Sequence, residues 1–150
     1  MKRVHGNKIV IILFLALILL FIQGCDKKPN INPDNYEINS LLFFITRTEH
    51  GGETQINEFK RFDNDKETIF YYVNWRYISG ENTSEREHLI VLTTSTLKSE
   101  LYPLNSLNDY PPIQKVWNEL KEKNDFKDFS KDEVDQFITN VKNIRENLKS

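Results

Sequence analysis

The middle of the chain, residues 36–97, has the hydrophobic pattern of β-strands. Residues 41–46 (LLFFIT) form a β-prone run, and Gly51-Gly52 marks its end. Residues 54–62 are ambiguous, because their apolar side chains are spaced by three and fit either a helical turn or a bulged strand. Residues 89–96 predict a further strand. Short connections between these runs favour an antiparallel meander.

Residues 68–78 give the clearest strand. One face of this strand is apolar throughout and carries Ile69, Tyr71, Val73, Trp75 and Tyr77. The other face mixes aromatic with polar residues, namely Phe70, Tyr72, Asn74 and Arg76. This alternation predicts that one end of the strand is covered on both sides and the other end on one side only.

After Pro103 the apolar spacing becomes helical. Pro111-Pro112 opens a helix whose apolar residues follow an i, i+3, i+4, i+7 pattern. Ser130 and Glu133 predict a capping box for a second helix, with a hydrophobic staple between Phe129 and Val134. We therefore expect an α+β fold, with a small antiparallel sheet of about three to four strands followed by two C-terminal helices packed on one face.

The N-terminal 24 residues have the pattern of a secretory signal peptide. Lys2, Arg3 and Lys8 precede an apolar run of 14 residues, 9–22. As a helix this run would span roughly 21 Å, which is short of the ~30 Å hydrocarbon core of a bilayer. Residues 25–35 contain two prolines and no aromatic residue, so we expect a flexible tether. Residues 36–150 then form a single α+β domain.

The sequence Ile22-Gln23-Gly24-Cys25 resembles the lipobox of bacterial lipoproteins. The resemblance covers about residues 1–25 and implies cleavage between Gly24 and Cys25, with lipid attached to the Cys25 sulfur. Cys25 is the only cysteine of the chain, so it has no partner for an intrachain disulfide. The expected location is the cell membrane, where the lipidated Cys25 anchors the protein on the extracytoplasmic side.

Charge and composition exclude several classes of function. Lys2, Arg3 and Lys8 lie in the predicted signal peptide and every acidic residue follows it, so residues 25–150 have a net charge of about −5. This balance argues against a nucleic-acid binder. Only three glycines follow residue 24, so phosphate-binding glycine-rich loops are excluded. No motif for nucleophilic catalysis is present, and we expect neither a cofactor nor an enzymatic activity.

The two histidines that follow the predicted signal peptide, His50 and His88, are candidates for a metal site. They would meet only if the first strand and the strand at residues 89–96 were neighbours. Their spacing matches no zinc motif, and both flank predicted turns. The sequence therefore favours polar side chains exposed at strand ends, with no bound metal.

The aromatic residues of the 68–78 strand offer a candidate binding surface. Five of them lie within the eight residues 70–77, and alternation does not hide all of them on one face. One interpretation covers the second face with another segment, so that Tyr72 belongs to the core. The other exposes Tyr72, Asn74 and Arg76 to a protein partner, since Tyr and Arg are enriched in interface hot spots.

These expectations favour a non-enzymatic, protein-binding lipoprotein at the cell envelope, such as an immunity or exclusion protein. The expected partners are the membrane, through Cys25, and an envelope or extracellular protein. Two alternatives stay open. One is a carboxylate-dependent cell-wall or glycan hydrolase, and the other is an accessory subunit of an envelope complex.

Overall fold

A computed structural model of the chain describes residues 35–49 and 51–149. The predicted signal peptide, the predicted cleavage site at Gly24 and Cys25, the predicted lipidation of Cys25 and the predicted tether up to residue 34 lie outside this range. The described elements are three α-helices, five strands and one 3₁₀ helix. In chain order they are α1 (Tyr36–Thr48), β1 (Glu53–Asp63), β2 (Thr68–Ser79), β3 (Asn82–Thr93), β4 (Lys98–Pro103), the 3₁₀ helix (Leu104–Asp109), α2 (Pro111–Lys123), β5 (Lys127–Asp128) and α3 (Lys131–Asn147).

The first element is a helix, so the prediction of a strand at residues 41–46 was wrong. Asn35 caps α1, and its side-chain Oδ1 accepts a hydrogen bond from the Ile38 amide at 3.3 Å. Ile38, Leu41 and Phe44 are spaced by three and are buried on one side of the helix. This spacing gives α1 an apolar face against the sheet, and packing of that face outweighs the β-propensity of the residues between.

The strands form one antiparallel sheet in the order β4-β3-β2-β1-β5, which confirms the predicted antiparallel arrangement. The sheet has five strands instead of three or four, because the two-residue β5 pairs with Lys60 and Arg61 of β1. The ambiguous residues 54–62 belong to a bulged strand. The bulge at Asn57 lets Ile56 and Phe59 face the same side of the sheet, against Trp75 and Val73 of β2.

Both faces of the sheet are apolar, and each has its own helices. Helices α1 and α3 cover one face, where Leu41, Tyr71 and Val141 are fully buried. Helix α2 covers half of the opposite face, where Trp117 belongs to one buried cluster with Phe70 and Leu89 and packs edge-on against Phe62, with ring centroids 5.0 Å apart. The expectation that both C-terminal helices lie on one face was therefore wrong. The physical reason is that Phe62, Phe70, Leu89 and Val91 form a second apolar surface, which needs its own cover.

The start of α3 confirms the predicted capping box. The Glu133 amide donates to Ser130 Oγ at 3.3 Å, and the Ser130 amide donates to Glu133 Oε2 at 2.8 Å. Phe129 and Val134 are both buried in the core beneath α1 and α3, as a hydrophobic staple requires. None of the described helices combines the length and the hydrophobicity needed to cross a bilayer.

Candidate functional site

The predicted binding residues Tyr72, Asn74 and Arg76 lie together on the sheet face that α2 covers only in part. Phe70, two residues earlier on β2, is buried beneath α2, whereas the three candidate residues are half-buried. The strand is thus covered on both sides at one end, as its alternation predicts. We call the uncovered half of this sheet face the open face. It consists of Glu58 and Lys60 of β1, Tyr72, Asn74 and Arg76 of β2, and Glu85 and Glu87 of β3.

Tyr72 stands at the border between the covered half and the open face. Its ring stacks on Trp117 of α2, with the ring centroids 6.1 Å apart and the planes at 5°. Its hydroxyl donates a hydrogen bond to Glu87 Oε1. Burial, and secondly this bond to Glu87, raise the pKa of Tyr72 above its ordinary value, so the phenol is protonated at neutral pH. Tyr72 therefore combines a packed ring with a polar group directed at the open face.

Side-chain pairs across neighbouring strands hold the other polar groups of the open face. Arg76 Nη2 lies 2.6 Å from Glu85 Oε1, and 40% of the arginine side chain is exposed. The side-chain Nδ2 of Asn57 donates a hydrogen bond to Asn74 Oδ1 at 3.1 Å. These pairs fix a guanidinium, an amide and carboxylates in a defined pattern, although exposed ion pairs contribute little stability. The pattern is therefore available for recognition.

A groove with a volume of about 640 Å³ opens at the β3 side of the open face. Its lining residues are Asn74, Glu85, Arg86, Glu87, His88, Pro103 and Asn105. Strand β4 pairs only with the residues of β3 from His88 onward, and Pro103 ends it there. The groove occupies the space beside β3 that a longer β4 would have filled.

His88 forms the buried end of this groove, so the expectation of a water-exposed histidine was wrong. It is 9% exposed and lies against Phe44 and Trp75. Trp75 Nε1 donates to His88 Nδ1 at 2.9 Å. Since an indole only donates, Nδ1 is unprotonated. Burial, and secondly the charge of Arg86, lower the pKa of His88, so the imidazole is neutral at pH 7.

No metal site is found in the part of the chain that the structure describes. No three His, Cys, Asp or Glu side chains among those residues are placed to hold one ion. The second histidine of the metal hypothesis, His50, lies outside the described residues. His88 itself is held as a hydrogen-bond acceptor in the core, which is a structural role.

A smaller groove, with a volume of about 300 Å³, lies where the open face meets α2. Its walls are the aromatic rings of Phe62, Tyr72, Trp117 and Phe126. Lys60 Nζ lies 5.8 Å from the ring centroid of Tyr72 and 5.4 Å from that of Phe126. These cation–π contacts, together with an ion pair between Lys60 Nζ and Glu58 Oε2 at 2.9 Å, hold the lysine in place. The groove extends the open face with apolar surface and has this charged pair at its rim.

Several residues of this site were not predicted. Glu85, Glu87 and the buried residues Leu89 and Val91 are spaced by two along β3, so their side chains lie on the same face of the sheet, which is the face of Tyr72. This spacing is the signal in the sequence that would have placed the two glutamates at the site. Trp117 belongs to the apolar i, i+3, i+4, i+7 pattern of the helix that Pro111-Pro112 opens, but that pattern does not show which face of the sheet the helix covers. The path of the chain between β4 and α2 decides that face. The chain matches no known family model, no curated protein and no solved structure.

Proposed function

We propose that the protein is a bacterial lipoprotein, anchored through Cys25 on the extracytoplasmic side of the cell membrane, and that it acts as a non-enzymatic protein-binding module. The observation that carries the binding proposal is the open face. Among the described residues, nothing covers half of one sheet face, which presents Tyr72, Asn74 and Arg76 beside a large groove. The combination of aromatic surface with a fixed guanidinium and amide is typical of protein interfaces.

The sequence supports the anchor in this proposal. The apolar run at residues 9–22 is followed by Gly24 and by the only cysteine of the chain, in the order that lipoprotein processing uses. Two or three acyl chains, at about 0.8 kcal/mol per buried methylene, hold a domain stably at a bilayer. A small anchored domain that binds another envelope protein suits an immunity or exclusion function. This comparison rests on architecture alone.

Site-specific photo-crosslinking in living cells tests the binding proposal. A photo-reactive amino acid at position 74, in the centre of the open face, should crosslink to a defined envelope protein. The same amino acid at position 119, an exposed position of α2, is the control. Arg76→Ala should reduce the crosslink from position 74. Equal crosslinking from both positions, or a yield that does not respond to Arg76→Ala, would contradict the proposal.

A further inference from the structure

One edge of the sheet is open beside the open face. Strand β3 runs from Asn82 to Thr93, but β4 pairs with it only from His88 to Thr93. The first six residues of β3, Asn82–Glu87, therefore have a strand neighbour, β2, on one side only. At ~3.3 Å per residue this open segment is about 20 Å long. We call it the β3 edge.

The hairpin between β2 and β3 determines which amides of the β3 edge point outward. Gly80 and Glu81 form a two-residue turn between the paired residues Ser79 and Asn82, and Gly80 adopts the positive φ of +61°. In such a turn the Asn82 amide donates back to Ser79. Because the direction alternates along an antiparallel strand, Thr83, Glu85 and Glu87 direct their backbone groups away from β2.

These outward backbone groups are free within the described part of the chain. No turn or loop hydrogen bond there involves the backbone of Thr83, Glu85 or Glu87. The side chains at the edge are exposed up to Glu87 apart from the half-buried Ser84, and burial begins at His88, where β4 joins. The chain of β4 turns away at Pro103 into the 3₁₀ helix, and this turn leaves the 640 Å³ groove along the edge. A peptide strand therefore has both room and hydrogen-bonding groups here.

The charges that the β3 edge directs onto the open face indicate what kind of strand fits. Arg86, the one cation of the edge, projects on the opposite face, with Cζ 5.7 Å from the ring centroid of Trp75. Glu85 and Glu87 project on the open face, and each uses its Oε1 atom for Arg76 or Tyr72. No described residue binds their Oε2 atoms. A second copy of this chain is disfavoured, because the two-fold antiparallel register that uses all three outward residues sets Glu85 opposite Glu85. A strand with Lys or Arg at alternate positions places its cations against Glu85 and Glu87 instead.

We infer that the β3 edge accepts an extended segment of a partner protein as an added strand, with basic side chains at alternate positions facing Glu85 and Glu87. Backbone hydrogen bonds to Thr83, Glu85 and Glu87 supply the pairing, and the carboxylates select the sequence. The inference rests on the proposed function and specifies how the open face holds its partner. The competing explanation is that the edge charges only prevent aggregation of an unpaired strand.

The test uses the full chain in detergent micelles and two ten-residue peptides. The first peptide alternates Thr with Lys, and the control peptide alternates Thr with Glu. The Lys peptide should bind more tightly and should slow hydrogen exchange at the amides of Thr83, Glu85 and Glu87. Exchange at Ser84 and Arg86 should change little, because those amides already pair with β2. An unchanged exchange at the three outward amides would overturn the inference.

Charge-reversal variants test the selection. The double variant Glu85→Lys/Glu87→Lys should bind the Lys peptide at least about fivefold more weakly than the wild type and should prefer the Glu peptide. The double variant Glu119→Lys/Glu122→Lys, at two exposed positions of α2, changes the net charge by the same amount, so it is the matched control and should leave binding unchanged. Equal losses of affinity in both variants would show that net charge alone causes the effect, and this result would overturn the inference.

A backbone variant separates the edge from the wider proposal. Glu85→Pro removes one outward N–H and leaves the bonds of β3 to β2 in place, so peptide binding should fall while the near-ultraviolet circular dichroism is retained. Should Glu85→Pro misfold, the exchange pattern of the wild type still decides the question. If crosslinking from position 74 persists without protection of the three amides, the edge inference fails and the proposed function stands. Absence of a specific crosslink from position 74 in the chain that is otherwise wild type would contradict the proposed function itself.

Discussion

The hydrogen bond between Trp75 and His88 makes a quantitative prediction about stability. Trp75 is 2% exposed and donates from Nε1 to Nδ1 of His88 at 2.9 Å. Replacing His88 by leucine puts an apolar side chain of similar size in the place of the imidazole and removes the Nδ1 acceptor. The buried indole N–H then has no partner, a condition that costs about 1–3 kcal/mol. We expect His88→Leu to lower the free energy of unfolding by this amount at pH 7.5.

A double-mutant cycle isolates the bond from the packing of the two rings. Trp75→Phe removes the donor, so His88→Leu should cost much less in that background, and the coupling free energy should approach 1–3 kcal/mol. The assay is urea denaturation of a chain that begins at Asp26. A coupling free energy near zero at pH 7.5 would refute the assignment of this bond.

The same pair predicts a pH dependence. The pKa of His88 is lowered in the folded state, first by burial and then by Arg86, so the unfolded chain takes up a proton at higher pH. The contribution of His88 to stability is complete above the unfolded pKa of about 6.5. It is lost as the pH falls toward the folded value. The stability difference between the wild type and His88→Leu should therefore shrink between pH 7.5 and 5.5, and a constant difference would contradict the explanation.

Three other predictions concern the anchor and the helices. Cys25→Ser should abolish fatty-acid labelling in cells, because no other thiol exists in the chain, and unchanged labelling would contradict the lipoprotein proposal. Leu41→Ala should lower the free energy of unfolding by about 3 kcal/mol, since this side chain of α1 is fully buried against the sheet, and a cost below that of a cap mutation would contradict the packing of that helix. Ser130→Ala removes the capping box of α3 and should cost about 1 kcal/mol in urea denaturation, and no change would show that the cap contributes nothing.

The sequence predicts the strands of this fold better than it predicts the position of its helices. Alternation in β2 separates Tyr71, Val73 and Trp75 from the opposite face correctly, because side-chain direction along a strand is a local property. Residues 41–46 are continuously apolar, so their local pattern does not distinguish a strand from a buried helix. The Asn35 cap and the spacing of Ile38, Leu41 and Phe44 resolve that ambiguity in favour of α1.

In the candidate site, too, the sequence predicts the features that depend on neighbouring residues and misses those that depend on distant parts of the chain. Placing Tyr72, Asn74 and Arg76 on one face needs only the period of the strand. The stacking of Trp117 on Tyr72 depends on the 3₁₀ helix, which carries the chain across to the second sheet face before α2 begins. The groove also arises from a distant feature, because it exists where β4 stops short of the start of β3. No pattern within β3 encodes that stop.

The affinity of the Arg76→Ala variant for the partner identified by crosslinking tests most directly whether the open face binds a protein. Arg76 is 40% exposed, so its truncation should leave the urea midpoint nearly unchanged. A hot-spot side chain contributes about 2 kcal/mol or more, which corresponds to a loss of affinity of roughly thirtyfold. Tyr72→Ala should weaken binding as well, but with a loss of stability because its ring packs on Trp117. The expected result is an Arg76→Ala protein that is stable but has lost its partner. A stable Arg76→Ala protein that binds the partner with wild-type affinity would contradict it.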